Sequence, residues 1–184
     1  ARWPVVLAFA TVYLVWGSTY LGIRYAIATI PPLLMAGTRF LMAGALLFGW
    51  SHWRGYERPK LAHWRTASIL GILMLLFGNG GVTLAERQIP SGLAALLVAT
   101  EPLWLVILAW VKPRGKAPGL RQVAGLVIGF GGVAVLVGFA PNAMAHIGSE
   151  SIPVVLVLCA ALAWAAGSIY ATGAPSASPA VNNG

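Results

Sequence analysis

Apolar residues run along this chain in blocks of about twenty, separated by short polar connections. Six blocks stand out, at roughly Pro4–Tyr25, Pro32–Trp53, Thr66–Ala85, Ser91–Val111, Val123–Ala140 and Ile152–Ala171. A helix rises 1.5 Å per residue, so each block can cross a hydrocarbon core about 30 Å thick. The first block is too long for a signal peptide, and five others follow it. The pattern predicts an all-α, polytopic membrane protein with six transmembrane helices. The last stretch, 172–184, reads "TGAPSASPAVNNG"; it is small, uncharged and proline-bearing, and is expected to be a disordered tail.

Composition points to the same solvent. Of the 184 residues, 59% are hydrophobic and 9% are charged, against about 25% charged in soluble domains. Only lipid accommodates so much apolar surface. Twenty-two glycines fit helices that pack closely in a membrane. The single cysteine, Cys159, has no partner in the chain for a disulfide. Asp is absent, and His52, His63 and His146 all fall in polar connections. Sites built on Asp are therefore excluded, and no Cys-x-x-Cys, His-Glu-x-x-His or phosphate loop is present. Neither a metal nor another cofactor is expected.

The formal net charge is +8, which in a soluble protein would suggest nucleic acid. Its placement says otherwise. Arg54, Arg58, Lys60 and Arg65 lie between spans two and three, and Lys112, Arg114, Lys116 and Arg121 between spans four and five. The opposite connections are nearly neutral, with Glu86 and Arg87 after span three and His146 and Glu150 after span five. This alternation predicts a cytoplasmic amino terminus and two cytoplasmic basic loops, so the partner is a lipid bilayer and not nucleic acid. Trp3, Trp50, Trp53, Trp64 and Trp110 fall at the predicted cytoplasmic ends, where an aromatic belt is expected. Trp16, Trp104 and Trp164 fall well inside their spans.

Charges inside the spans need an explanation. Glu101 lies roughly 16 Å below the outer surface, counted from Pro90, and Arg39 roughly 10 Å below it, counted from Pro32. Each costs about 2.5–3.5 kcal/mol to insert, so each is expected to face water or a partner. Two arrangements are open: both face one central cavity, or they form a structural pair. Pro102 has no N–H for the carbonyl of Val98, which predicts a kink in span four beside Glu101. That oxygen and the carboxylate form a station for a cation, an amine or a proton, or else the proline only shapes packing. Polar and aromatic residues also fall into helical stripes: Tyr13, Trp16, Tyr20 and Arg24; Asn79, Thr83 and Glu86; Glu101 and Trp104. Together with Arg39 they favour a shared, aromatic-lined cavity. Gly125, Gly129 and Gly132 are expected to mark a close packing face on span five.

Around Trp16 the chain reads "VWGSTY", and around Trp164 "AWAAGSIY". Span one starts inside and span six outside, so a repeat of five helices per unit must be inverted, as in secondary transporters. These two segments, with "WGSTYLGIRYAI", "PPLLMAGTRFLMAG" and "GNGGVTLAERQIPSGLAALLVATEPLW", resemble the EamA-type branch of the drug/metabolite transporter superfamily, especially its YedA-like inner-membrane members. The resemblance runs from about Ala8 to Tyr170. It implies ten helices in two inverted five-helix repeats that work by alternating access and move small metabolites, amino acids or drugs, typically outward. On that plan 1–140 is the first repeat and 152–171 the first helix of the second. Two departures stand out. The connection after span four, "VKPRGKAPG", is wholly basic where many members carry an acid, and the family pattern has the Thr100 and Pro102 positions but does not require a glutamate between them, at Glu101. The family also needs roughly three hundred residues. The chain is then either incomplete, needing the rest of the second repeat, or a half-transporter needing a second copy.

The leading expectation is a secondary transporter in the bacterial inner membrane, not an enzyme. Its expected substrate site is Trp16, Tyr20, Arg39, Asn79, Glu101, Trp104 and Trp164, with Glu101 as the proton-coupling group. Two alternatives stay open: a fragment that inserts and moves nothing, and a membrane-embedded lipid enzyme, for which acidic and histidine clusters are too sparse.

Overall fold

The computed structural model describes residues 3–56, 58–112, 115–138 and 151–175. Among them every element is helical: α1 Trp3–Ala26, α2 Pro32–Trp53, α3 Leu61–Leu70, a π-helical segment Gly71–Asn79, α4 Gly80–Ala85, α5 Ser91–Val98, α6 Glu101–Val111, α7 Leu120–Gly138 and α8 Ser151–Ala171. Among the described residues, five stretches are long and apolar enough to cross a membrane: Trp3–Ala26, Pro32–Trp53, Leu61–Ala85, Ser91–Val111 and Ser151–Ala171. The fifth predicted span corresponds to α7, 19 residues long. Its end at Ala140 and the tail from 176 lie outside the described residues.

Local chemistry accounts for several boundaries. Pro31 and Pro32 open α2, where a missing N–H costs nothing. Gly55 follows its end with φ +74°, donating its N–H to the His52 carbonyl at 3.1 Å. A side chain there would be strained, so glycine closes the helix.

Two predicted spans differ from expectation. Span three begins at Leu61 rather than Thr66, and Gly71–Asn79 in its middle is wound as a π-helix. Span four is two helices, broken at Ala99 and Thr100, where a kinked single helix was expected. Thr100 closes α5 by donating its hydroxyl to the Leu97 carbonyl at 2.7 Å. Glu101 and Pro102 then occupy the first turn of α6, which suits both: proline needs no N–H there and a carboxylate favours the dipole.

The helix α8 is the hub, packing against the π segment and against α3, α4, α5 and α6. Its approach is close because the facing residues are small. A Cβ on Gly78 would stand 2.8 Å from Trp164 Cε3, and one on Gly81 would stand 3.1 Å from the Ala160 Cβ. The core between these helices is Val82, Ala85, Ile89, Leu93, Ala94, Val157 and Ala160. In contrast, a Cβ added at Gly125, Gly129 or Gly132 would meet no other helix within 4 Å among the described residues, so the packing face expected on span five has no partner there. Large side chains such as Leu14, Leu41, Leu46 and Ile128 point outward, as a lipid-facing surface requires.

Candidate functional site

Where α1, the π segment, α6 and α8 meet, they line a partly open cavity with about 50 Å³ of inner space. That is room for a few water molecules. Five of the residues expected from sequence line it: Trp16 and Tyr20 from α1, Asn79 at the end of the π segment, Glu101 at the start of α6, and Trp164 from α8. Thr19, Ile23, Gly78, Val82, Val98, Ala160 and Ala161 complete the wall. Trp16 and Trp164, the tryptophans of the two similar motifs, meet edge to face with ring centroids 6.1 Å apart at 79°. This arrangement suits aromatic quadrupoles.

Glycine at 78 lets Trp164 reach the wall, since any side chain there would strike the indole. Glu101 reaches it because α6 begins at the cavity, inside what would otherwise be one long span. Short π-helical segments often accompany functional sites, and this one ends at Asn79.

Arg39 and Trp104 are not in the lining. Arg39 acts through Asn79, donating from Nη2 to Oδ1 at 2.8 Å. Its guanidinium therefore bonds an amide rather than Glu101. Trp104 lies on α6, which packs against α8, and its Nε1 is buried with no hydrogen-bond partner among the described residues. Of the predicted stripe on α1, Tyr13 is 71% exposed and packs on Phe9. Arg24, at the other end of that stripe, donates to the carbonyl oxygens of Glu86 at 2.7 Å and Ile89 at 2.9 Å. On α4, Thr83 is buried and donates to the Asn79 carbonyl at 2.8 Å.

Two larger, more open grooves are also present. One, of about 270 Å³, lies between α1 and α5 and shares Trp16 and Tyr20 with the cavity. Another, of about 510 Å³, is lined by Leu108, Lys112, Ile169 and Tyr170. The groove between α1 and α5 makes Trp16 and Tyr20 a wall shared with the cavity. No group of His, Cys and Glu among the described residues could hold a metal ion.

Sequence reasoning missed the small residues of the wall. It places Glu86 both after span three and on the stripe of Asn79 and Thr83; the structure buries Glu86 but leaves it out of the cavity lining.

The chain is similar to several curated proteins. It is 38% identical over 168 residues to the "Uncharacterized inner membrane transporter YedA" of Escherichia coli (strain K12), covering 91% of this chain and 53% of that protein. It is 31% identical over 171 residues to the "Uncharacterized transporter YvbV" of Bacillus subtilis (strain 168), covering 92% and 53%. Over 178 residues it is 29% identical to the "Probable amino-acid metabolite efflux pump" of Escherichia coli (strain K12), covering 90% and 52%. The chain thus spans about half the length of these relatives. No solved structure matches it. The model of the EamA-like transporter family matches residues 3–138, and the chain belongs to that family.

Proposed function

We propose that the protein is, or forms part of, a secondary transporter that carries small metabolites, amino acids or drugs outward across the bacterial inner membrane by alternating access. The observation that carries this is the cavity at a helix break, where Trp16, Tyr20, Asn79, Glu101 and Trp164 converge. Irregular backbone at such depth is tolerated where it lines a cavity, and transporters bind there. The relatives named as an inner membrane transporter and as an amino-acid metabolite efflux pump support the location and the substrate class.

At about 50 Å³ the inner space of the cavity is smaller than an amino acid, so a substrate of that class needs the wall to move. Trp16 and Tyr20, the wall shared with the groove beside α5, are the side chains whose movement joins the two spaces. Glu101 offers a carboxylate to a substrate amine or takes up a proton. Asn79, held by Arg39, offers its amide to a polar group. A complete transporter in this reading has two inverted repeats, with α8 opening the second, supplied by further chain or by a second copy.

The test is transport in proteoliposomes across a pH series, wild type beside Glu101→Gln. Coupling through Glu101 predicts a mutant that inserts normally and transports with a flattened pH dependence. An unchanged pH profile would remove Glu101 as the proton site, and no uptake or efflux of any tested metabolite class by the wild type would remove the transporter itself.

A further inference from the structure

Glu86 is the first residue beyond the span Leu61–Ala85, and its side chain is 0% exposed. Neither carboxyl oxygen has a hydrogen-bond partner among the described residues. The Arg24 guanidinium is beside it but bonds elsewhere, to the main-chain carbonyls of Glu86 and Ile89. Those carbonyls close the end of α4, where a cation is favoured. A buried carboxylate without partners is strongly disfavoured, whereas a neutral carboxylic acid in the same place is tolerable. Burial raises its pKa from the ordinary 4.5 to about 7, with the Arg24 charge opposing the rise.

The groups facing this turn are few. From α1 come Arg24 and Tyr20, and Tyr20 is within electrostatic reach of both Glu86 and Glu101. From α2 the nearest cation, Arg39, is held by Asn79. The neighbouring α5 and α8 contribute apolar Leu93, Ala94, Val157 and Ala160, and Arg87 on the same turn is exposed.

We propose that Glu86 is a proton-binding site, and that release of its proton draws Arg24 from the carbonyls of Glu86 and Ile89 onto the carboxylate. The step is balanced: the carboxylic O–H gives its proton to water, and the resulting anion accepts guanidinium N–H bonds in place of the two carbonyls. Arg24 is exposed, so it links the buried acid to the surface. The exchange changes how the end of α1 is fastened to the end of α4, next to the cavity wall at Tyr20. The proposal does not rest on the transport reading, because binding a proton needs no substrate.

The protein reconstituted in phosphatidylcholine vesicles and titrated from about pH 5 to about pH 9, two units either side of the transition, tests this by infrared spectroscopy. The chain holds four acidic side chains, so a protonated-carboxyl band is assignable. Wild type should lose such a band as pH rises through neutrality. Glu86→Gln should lack that component, and Glu101→Gln should keep it. Arg24→Gln removes the opposing charge, so its transition should move to higher pH, a shift that still reports on Glu86 if Glu86→Gln fails to fold. A neutral-range band surviving in Glu86→Gln, or none in wild type, overturns the site. An unmoved transition in Arg24→Gln overturns the exchange of partners. Loss of transport activity with the band intact would count against the transporter reading alone.

Discussion

At the scale of single residues, glycine and tryptophan decide the site. Gly78 and Trp164 occupy one space between two helices, and a methyl group on Gly78 would stand 2.8 Å from the indole edge. Overpacking of this kind costs about 1–3 kcal/mol, while replacing a helical glycine by alanine returns roughly 0.5–1 kcal/mol. Gly78→Ala should therefore lower stability by about 1–2 kcal/mol and disturb the Trp16–Trp164 contact, seen as a shifted tryptophan emission. Gly125→Ala, where nothing lies within 4 Å, should be neutral or gain the propensity term. Unfolding midpoints of both variants in one detergent would check the contrast, and equal midpoints would count against close packing at Gly78. The sequence shows that glycines are plentiful but not which ones are needed. Spacing along span five suggested Gly125, Gly129 and Gly132, yet close approach is set by the residue on the opposing helix, which spacing does not carry. The motif tryptophans were legible because an aromatic residue inside an apolar span stands out without knowing its neighbour.

At the scale of elements, span limits were legible and windings were not. Hydropathy over twenty residues reports contact with lipid, so α2 begins and ends where its pattern does, at Pro32 and Trp53. Winding depends on single hydrogen bonds, and a long apolar run hides both the π segment in span three and the break in span four. The break has its own chemistry in Thr100, Glu101 and Pro102. The threonine hydroxyl takes the Leu97 carbonyl, and proline cannot bond the Val98 carbonyl. Pro102→Ala restores that N–H and should extend helical bonding across Ala99 and Thr100, pulling Glu101 out of its first-turn position. The expected outcome is normal insertion, slower amide exchange around 98–102, and transport reduced by tenfold or more, about 1.4 kcal/mol at the barrier. Unchanged exchange in that segment would mean that the break is held by Thr100 alone.

For the whole molecule, the charge alternation makes a prediction that packing does not. The helices α1 to α8 could sit in a bilayer either way up without altering the contacts between them, because their outward surface is mostly apolar. Orientation is decided by the Lys and Arg residues at the ends. Around α2 and α3 the exposed aromatic residues gather at the same end as those charges: Trp50 packs against Tyr56, Arg54 lies over Trp50, and Phe48 packs against Trp64. Such a girdle anchors an interface, and basic residues within it favour the cytoplasmic side. We therefore expect Gly55, the turn between α2 and α3, to be cytoplasmic, and Gly148, on the connection before α8, to face outward. Cysteines placed at these two positions in a Cys159→Ser background should react differently with a membrane-impermeant thiol reagent. Gly55→Cys should be protected in intact cells and labelled in inverted vesicles, and Gly148→Cys should show the reverse. Labelling of Gly55→Cys from outside intact cells, with Gly148→Cys protected, would invert the topology and put Glu86 on the cytoplasmic side. Labelling of both positions from both sides would mean insertion in two orientations, and then the basic loops do not set topology alone.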